Sequence, residues 1–228
     1  MKVVCFDLDD TLYKEIDFLK SAFKEIVEYA IRRSSRYDLG AADLYEGMLA
    51  AYFSKKDAFD YLITAVESDL DKATLLSLYR NHIPQISLSD GAFELLTEIG
   101  RRGYEIGIIT DGRSVQQRNK IKALGLSDFV SNENIIISEE FGSEKPSRAN
   151  YEYFITKYPE ASDFYYIADN PKKDFISPNA LGWKTVCVKD DGRNIHTQQM
   201  DLLPEYLPSV VVSALSDVLE EICLSDEV

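Results

Sequence analysis

Two aspartates stand two residues apart at the end of the first apolar run of the chain, a spacing that could bind a metal ion. The run Lys2–Phe6 leads into Asp7-Leu8-Asp9-Asp10-Thr11. The period of a β-strand places Asp7 and Asp9 on one side and Leu8 on the other. Two carboxylates this close repel each other, so both stay ionised only with a cation between them, and oxygen ligands suit Mg²⁺. Taken alone, the same residues could form an acidic turn without chemistry.

A hydroxyl residue and a lysine follow further along the chain. Thr110 precedes Asp111 and Gly112, and a hydroxyl before a glycine turn and a capped helix offers donors to an anion. Pro146 keeps Lys145 out of the helical region and suits the first position of a helix, which displays the ammonium near a helix start. Considered one by one, a common turn and a solvated lysine explain these residues equally well.

A second acidic pair follows a later apolar run. Asn170 can cap a helix that begins at Pro171. Asp169 lies just outside that helix, and Asp174 lies in or just after its first turn. An ordinary acidic loop is the alternative interpretation of this segment taken alone.

Six short runs should form the framework that positions these residues. They are Lys2–Phe6, Tyr104–Ile109, Ile135–Ile137, Phe164–Ala168, Lys184–Val188 and Ser209–Val212. Most are continuously apolar, as in parallel strands that are buried on both faces. Amphipathic helical segments lie between them, and Ser114–Gln117 is typical of a capping box that opens a helix. We therefore predict a Rossmann-like, doubly wound α/β fold with a mostly parallel sheet, whose carboxyl edge carries the candidate residues.

One long segment interrupts the alternation of strands and helices. Between Glu15 and Ser87 no convincing strand occurs, and apolar residues follow helical spacing over Ile16–Ala30 and Phe59–Val66. We predict an all-helical cap domain at residues 15–87, inserted into a catalytic core formed by residues 1–14 and 88–228.

The charge and composition of the chain argue against several classes of function. The 228 residues carry a formal charge of −14, which argues against a nucleic-acid surface. No apolar run reaches the roughly 18 residues of a membrane span, and the N-terminus lacks the h-region of a signal peptide, so we expect a cytoplasmic protein. The three cysteines are far apart, which predicts reduced, buried thiols. The acidic end, Ser225–Val228, should fray.

Several other polar side chains are better explained by a structural role or by solvent exposure than by catalysis. His82 and His196 are expected to be structural or exposed. Lys120 and Lys122 are expected to be solvated, although Lys120 could face the cleft. Lys173 precedes Asp174 and could modestly perturb a metal site there.

The ordered combination of motifs resembles the haloacid dehalogenase (HAD) superfamily of phosphohydrolases. The four motifs of that family read here as Asp7 to Thr11, then Thr110, then Lys145, and finally Asp169 to Asp174. The resemblance covers the chain outside the insertion, and the insertion resembles the cap of the first subfamily. Ala168 stands where glycine is usual, a change between two small residues that should have little consequence.

The resemblance implies a role for each catalytic residue. Asp7 would be the nucleophile that forms an aspartyl-phosphate, and Asp9 would be the general acid and then the base, with a pKa raised in a closed, dry site. Thr110 and Lys145 complete the catalytic set, and Lys145 would balance the charge of the phosphoryl group. The amides that follow Thr110, at Asp111 and Gly112, would join Thr110 and Lys145 in phosphate binding.

The resemblance also implies Mg²⁺ as the cofactor. Its ligands would be the carboxylates of Asp7 and Asp169 and the backbone carbonyl of Asp9. Asp174 would act through a water molecule or orient Lys145.

The expected function is a Mg²⁺-dependent phosphatase for a small phosphorylated metabolite of the nucleotide or sugar phosphate class. We expect a monomer or homodimer that binds neither nucleic acid nor membrane. The alternatives are a phosphomutase of the same superfamily and a non-catalytic phospho-ligand binding protein, such as a receiver-like domain. A metal-free dehalogenase is disfavoured, because dehalogenases of this fold lack the second acid that Asp9 provides.

Overall fold

Six parallel strands form the framework of the protein in the computed structural model, which describes residues 1–34, 36 and 38–223. The strands are β1 (Lys2–Phe6), β2 (Glu105–Thr110), β3 (Ile135–Ile137), β4 (Asp163–Ala168), β5 (Lys184–Val188) and β6 (Val210–Val212). Their spatial order is β3-β2-β1-β4-β5-β6, and each neighbouring pair is parallel. The predicted runs match these strands to within one residue at each end, and the predicted doubly wound α/β fold is confirmed.

The sheet reverses its winding between β1 and β4, the place where open α/β sheets bind ligands. The chain winds from β1 to β2 and β3 on one side, and then to β4, β5 and β6 on the other. Phe6 pairs with Ile167 in the register of β1 and β4, and the Asp7 N–H donates to the Ile167 carbonyl at 2.9 Å. The residues that follow these two strands, from Asp7 and from Asp169, therefore emerge side by side.

The central strands are held by apolar packing on both faces. All five residues of β1 are buried, and each buried Val or Phe side chain contributes about 1.5–3 kcal/mol to folding. Cys5 and Cys187 are buried with free thiols, as predicted, whereas the free Cys223 is only partly buried. Burial raises the pKa of the Cys5 thiol, which fits a cysteine that packs as a small hydrophobic residue.

The chain divides into two compact units, Met1–Ile16 with Ser87–Val228 and Asp17–Ile86. Among the described residues of the smaller unit there are four helices: α1 (Glu15–Ile31, which starts in the larger unit), α2 (Ala41–Phe53), α3 (Ala58–Val66) and α4 (Lys72–Asn81). Its described residues contain no strand. Asp57 and Asp71 cap α3 and α4 by accepting backbone N–H groups. The boundaries at residues 15 and 87 and a role for this unit as a cap stay predictions.

The interior of the smaller unit is aromatic. The rings of Phe18 and Tyr79 meet edge to face with centroids 5.3 Å apart. His82 is buried beside them, where it hydrogen-bonds to Ser21 at 2.7 Å and to Glu25. These contacts confirm the prediction that His82 is a structural residue.

Seven helices belong to the larger unit within the described residues. They are α5 (Asp90–Arg101), α6 (Ser114–Ala123), α7 (Ser138–Phe141), α8 (Ala149–Lys157), α9 (Pro171–Asp174), α10 (Ile176–Ala180) and α11 (Val218–Cys223). In the part of the chain that the structure describes, no helix has the length and apolar character needed to cross a bilayer. The terminal residues Ser225–Val228, predicted to fray, lie outside the described residues.

The predicted capping box at the start of α6 is wrong. Arg113 occupies the N-cap position without a side-chain cap, so the helix begins at Ser114 itself. The backbone N–H and hydroxyl of Ser114 instead donate to Glu139 at 2.7 Å and Glu140 at 2.6 Å, which satisfies both groups from another helix. Gln117 is thereby left free of any capping role and is buried.

Candidate active site

Three carboxylates meet at the carboxyl ends of β1 and β4. Asp7, Asp169 and Asp174 are all buried, and each places an oxygen within 4.8 Å of an oxygen of the others. Burial and the neighbouring charges of Asp7 and Asp174 raise the pKa of Asp169 to about 8. The donors are all carboxylate oxygens with mutual repulsion, so the residues fit a hard divalent cation such as Mg²⁺.

Lys145 is the cation that these carboxylates share within the described structure. Its Nζ lies 2.8 Å from Asp7 Oδ1 and 2.9 Å from Asp174 Oδ1, and it donates to the Tyr166 hydroxyl at 3.1 Å. Burial raises the pKa of Asp7 to about 6, although the Lys145 ammonium opposes this shift. One lysine among three acids leaves a net negative pocket, which strengthens the case for a bound cation.

The chain presents Lys145 differently from the prediction. Asp111 Oδ1 accepts the Lys145 backbone N–H at 3.0 Å, and Ser147 N–H closes a turn onto the Glu144 carbonyl at 2.9 Å. Pro146 lies inside this turn rather than at the start of a helix, and the next helix begins only at Ala149. The prediction that Pro146 opens a helix is therefore wrong.

By contrast, the predicted start of α9 is confirmed. Asn170 is the N-cap, its side chain accepts the Lys172 N–H at 3.2 Å, and Pro171 is the first helical residue. The Asn170 backbone N–H in turn donates to Asp174 Oδ2 at 3.0 Å. This short helix therefore brings Asp174 back beside Asp169.

Asp9 points to a different set of partners. Its Oδ1 lies 2.7 Å from Lys120 Nζ and also accepts the Tyr13 hydroxyl, while its Oδ2 accepts from Gln117 Nε2 at 2.8 Å. Burial acts to raise the pKa of Asp9, but the Lys120 charge and the three donors outweigh it and lower the pKa below its usual value. The expectation of a raised pKa for Asp9 is wrong for this arrangement.

Three of the predicted phosphate-binding residues, Thr110, Asp111 and Gly112, lie at the end of β2. Thr110 Oγ1 accepts from Gln117 Nε2 at 2.6 Å, and Asp111 Oδ2 lies 3.2 Å from Lys173 Nζ. The Gly112 N–H donates to Ser138 Oγ at 3.0 Å, so that amide is engaged within the protein. Thr110 and Asp111 line the cavity described next.

A polar cavity of about 170 Å³ joins these residues. It is lined by Asp7, Asp9, Asp10, Glu15, Thr110, Asp111, Asp169, Asn170, Lys173 and His196. His196, expected to be structural or merely exposed, lines this cavity. Lys120, expected to be solvated with the cleft as the alternative, is only 2% exposed and pairs with Asp9, so the alternative fits the structure better. The structure thus gathers the predicted residues at one place and adds several that sequence reasoning missed.

The loop after β5 holds two of the acids in place. Asn194 Nδ2 donates to Asp169 Oδ2 at 2.8 Å, and the Ile195 N–H donates to Asp10 Oδ2 at 2.9 Å. Gln198 Nε2 donates to the Asp169 carbonyl at 2.7 Å. No motif in the sequence marks this loop, because its residues reach the site only through the return of the chain over the sheet edge.

Comparison with known proteins places the chain in a family. The family model described as haloacid dehalogenase-like hydrolase matches residues 4–188. A glyceraldehyde 3-phosphate phosphatase of Methanocaldococcus jannaschii is 30% identical over 198 residues, which cover 82% of this chain and 85% of that protein. A ribulose-1,5-bisphosphate 5-phosphatase of Halopiger xanaduensis is 29% identical over 219 residues, covering 87% and 89%.

Solved structures agree on the fold. The HAD hydrolase YfnB of Bacillus subtilis, determined with bound magnesium, superposes with a TM-score of 0.66 at 22% identity, over 100% of this chain and 99% of that one. A HAD phosphatase of Thermococcus onnurineus gives a TM-score of 0.60 at 20% identity, over 97% and 98%. With the matched family model and the curated relatives, these findings show that the chain belongs to the haloacid dehalogenase-like hydrolases, as a phosphatase-like member.

Proposed function

We propose that the protein is a Mg²⁺-dependent phosphatase that hydrolyses a small sugar phosphate through an aspartyl-phosphate on Asp7. The observation that carries the proposal is the Asp7 carboxylate, which Lys145 holds at 2.8 Å beside Asp169 and Asp174 at the reversal point of the sheet. This arrangement combines a fixed nucleophile with a negative pocket that fits a divalent cation. Phosphoryl transfer depends mostly on such positioning and charge stabilisation.

In the proposed reaction, an Asp7 oxygen attacks phosphorus while the bond to the sugar oxygen breaks. Asp9 gives a proton to the leaving oxygen, and later takes a proton from the water that hydrolyses the aspartyl-phosphate. Thr110 and the Lys145 ammonium stabilise the charge on the phosphoryl oxygens. Asp7, Asp169 and the Asp9 carbonyl would hold Mg²⁺, and Asp174 would act through a water molecule or orient Lys145. The bound ion would supply further positive charge to the phosphoryl group.

The Asp9 environment fits the base half of this cycle directly. With three donors around its two oxygens, Asp9 is held as a carboxylate that is ready to accept a proton. For the acid half, Asp9 must carry a proton, and Oδ2, which accepts from Gln117 alone among these three donors, has a lone pair left to take it.

The relatives favour a sugar phosphate over a nucleotide as substrate. Relatives that match more than 80% of this chain include phosphatases of glyceraldehyde 3-phosphate and of ribulose 1,5-bisphosphate. A pyrimidine 5′-nucleotidase of Escherichia coli, YjjG, is also 29% identical, but its match covers only 58% of this chain. Both substrate classes carry the phosphomonoester that the site is suited to bind, so the experiment must separate them.

The test is phosphate release from glyceraldehyde 3-phosphate, ribulose 1,5-bisphosphate, nucleoside 5′-monophosphates and an aryl phosphate, each with Mg²⁺ and with a chelator. We expect release that requires Mg²⁺ and is highest for a sugar phosphate. Interconversion of sugar phosphate isomers without net phosphate release would favour the phosphomutase instead. A folded, Mg²⁺-supplied protein that releases phosphate from no substrate would contradict the proposal.

A further inference from the structure

We infer that Gln117 and Lys120 are positioning residues, which together hold the Asp9 carboxylate in register with the Thr110 hydroxyl. The inference rests on the proposed function, because it assigns these two side chains to the acid–base step of the same site. Neither residue belongs to the four motifs. Both come from α6, the helix that follows the Thr110 motif directly.

The spacing of the two residues on α6 directs both of them at Asp9. Residues three apart lie on the same face of a helix, so Gln117 and Lys120 project side by side. Lys120 Nζ contacts Asp9 Oδ1 at 2.7 Å, and Gln117 Nε2 contacts Asp9 Oδ2 at 2.8 Å. Two contacts on different oxygens of one carboxylate fix its rotation as well as its place.

Gln117 also ties this carboxylate to the phosphate-binding segment. The same Nε2 that contacts Asp9 donates to Thr110 Oγ1 at 2.6 Å and lies 3.3 Å from the Asp111 carbonyl. A single amide therefore spans the acid–base residue and the hydroxyl expected to bind the phosphoryl group. A small displacement of either residue relative to the other would misalign the proton donor with the leaving oxygen.

Stability alone is a poor reason for this arrangement. Lys120 and Gln117 are 2% and 1% exposed, and burying an ammonium or an amide is unfavourable unless each finds partners. An apolar pair at these positions would often stabilise a fold at least as well as a buried ion pair. The chain instead places a charged and a polar side chain on the inner face of α6, where both contact Asp9.

The experiment is a double-mutant cycle on catalysis. Lys120→Met and Gln117→Leu are each made in the wild-type background and in an Asp9→Asn background. The same helix offers matched controls, since Lys122 is exposed and Gln116 is only partly buried, which gives Lys122→Met and Gln116→Leu. Each variant is assayed for kcat, KM and the Mg²⁺ concentration at half-maximal rate on the best sugar phosphate, and its thermal unfolding is recorded.

We expect Lys120→Met and Gln117→Leu to lower kcat about 10- to 100-fold, with KM and the Mg²⁺ requirement within about two-fold, because misplacement of a reacting group acts on the chemical step. In the Asp9→Asn background Lys120→Met should lower kcat less than about two-fold, since a residue that acts through one group loses its effect when that group is absent. Gln117→Leu should lose most of its effect there and keep only the part that it exerts through Thr110. The two control variants should keep wild-type kinetics.

The outcomes separate this inference from the proposed function. If wild-type protein releases phosphate but the losses are equally large in the Asp9→Asn background, or accompany lower thermal stability in proportion, the two residues are structural and the inference is wrong. If wild-type protein releases no phosphate from any substrate, the proposed function is wrong, and the inference that rests on it is wrong as well. If Lys120→Met does not fold, the cycle with Gln117→Leu decides.

Discussion

The candidate active site has two halves, and the buried carboxylates of the two halves have different partners. The nucleophile half consists of Asp7, Asp169 and Asp174 around Lys145, and the acid–base half consists of Asp9 with its donors Lys120, Gln117 and Tyr13. In the first, three buried acids share one lysine. In the second, each oxygen of one carboxylate has a donor.

Burial acts to raise the pKa in both halves, and the neighbouring charges and donors decide the net direction. Burial and like charges raise the pKa of Asp169 to about 8, whereas the donors around Asp9 lower its pKa despite burial. A half with three acids and one lysine is suited to receive a cation, whereas a carboxylate that has a donor on each oxygen is held in one orientation. The comparison therefore supports the proposal that one half binds the metal and the other transfers the proton.

The largest expected effect is loss of the nucleophile. Asp7→Asn removes the oxygen charge that attacks phosphorus, so we expect kcat to fall by about 10⁴-fold or more, as when other covalent nucleophiles are removed. Phosphate release from the best substrate measures this. Full activity in this variant would show that the nucleophile half does not carry the covalent step.

Removal of the lysine tests the charge balance of the same half. Lys145→Met should lower kcat by about 10²–10³-fold, because it removes a preorganised charge beside the phosphoryl oxygens. The Mg²⁺ requirement should not rise, since all three carboxyl groups that would hold the ion remain in place. Lys172→Met, at an exposed position of α9, is the matched control. A kcat loss that excess Mg²⁺ restores fully would mean that Lys145 serves only the metal site.

A substitution with a milder expected effect tests whether Asp169 binds the metal. Asn194→Ala removes the 2.8 Å hydrogen bond to Asp169 Oδ2 and should weaken Mg²⁺ binding about 10-fold, as loss of a partner that orients a ligand does elsewhere. Calorimetric titration of Mg²⁺ measures this without any substrate, and Arg193→Ala, an exposed neighbour in the same loop, is the control. Unchanged Mg²⁺ affinity would place the cation away from Asp169.

The smallest expected effect concerns Lys173 at the rim. Its ammonium lies 3.2 Å from Asp111 Oδ2, and its side chain is 36% exposed, so the pair is partly screened by water. Lys173→Met should raise KM about two- to five-fold with little change in kcat, since an exposed charge pair contributes at most about 1 kcal/mol. Steady-state kinetics measure this, and a large fall in kcat would move Lys173 into the catalytic machinery.

The successes and failures of the sequence analysis have identifiable causes. The strands were predictable because buried parallel strands are continuously apolar, as in Lys2–Phe6. Asp7, Thr110, Lys145 and Asp169 were found because each follows such a run or belongs to a recognisable motif. Gln117 was assigned to a cap, and Lys120 was left between solvent and the cleft, because α6 carries no apolar stripe that would show which face points inward.

The sequence by itself determined the α/β architecture, the family and the residues of the four motifs, because these depend on local composition, strand periodicity and short spacings. Only the tertiary structure determined which charged and polar side chains lie close together. It brought Lys120 and Gln117 to Asp9 across more than a hundred residues of chain, and Asn194 to Asp169. It also turned the expected rise in the Asp9 pKa into a fall, because a pKa depends on the donors that folding assembles around a carboxylate, which no local pattern records.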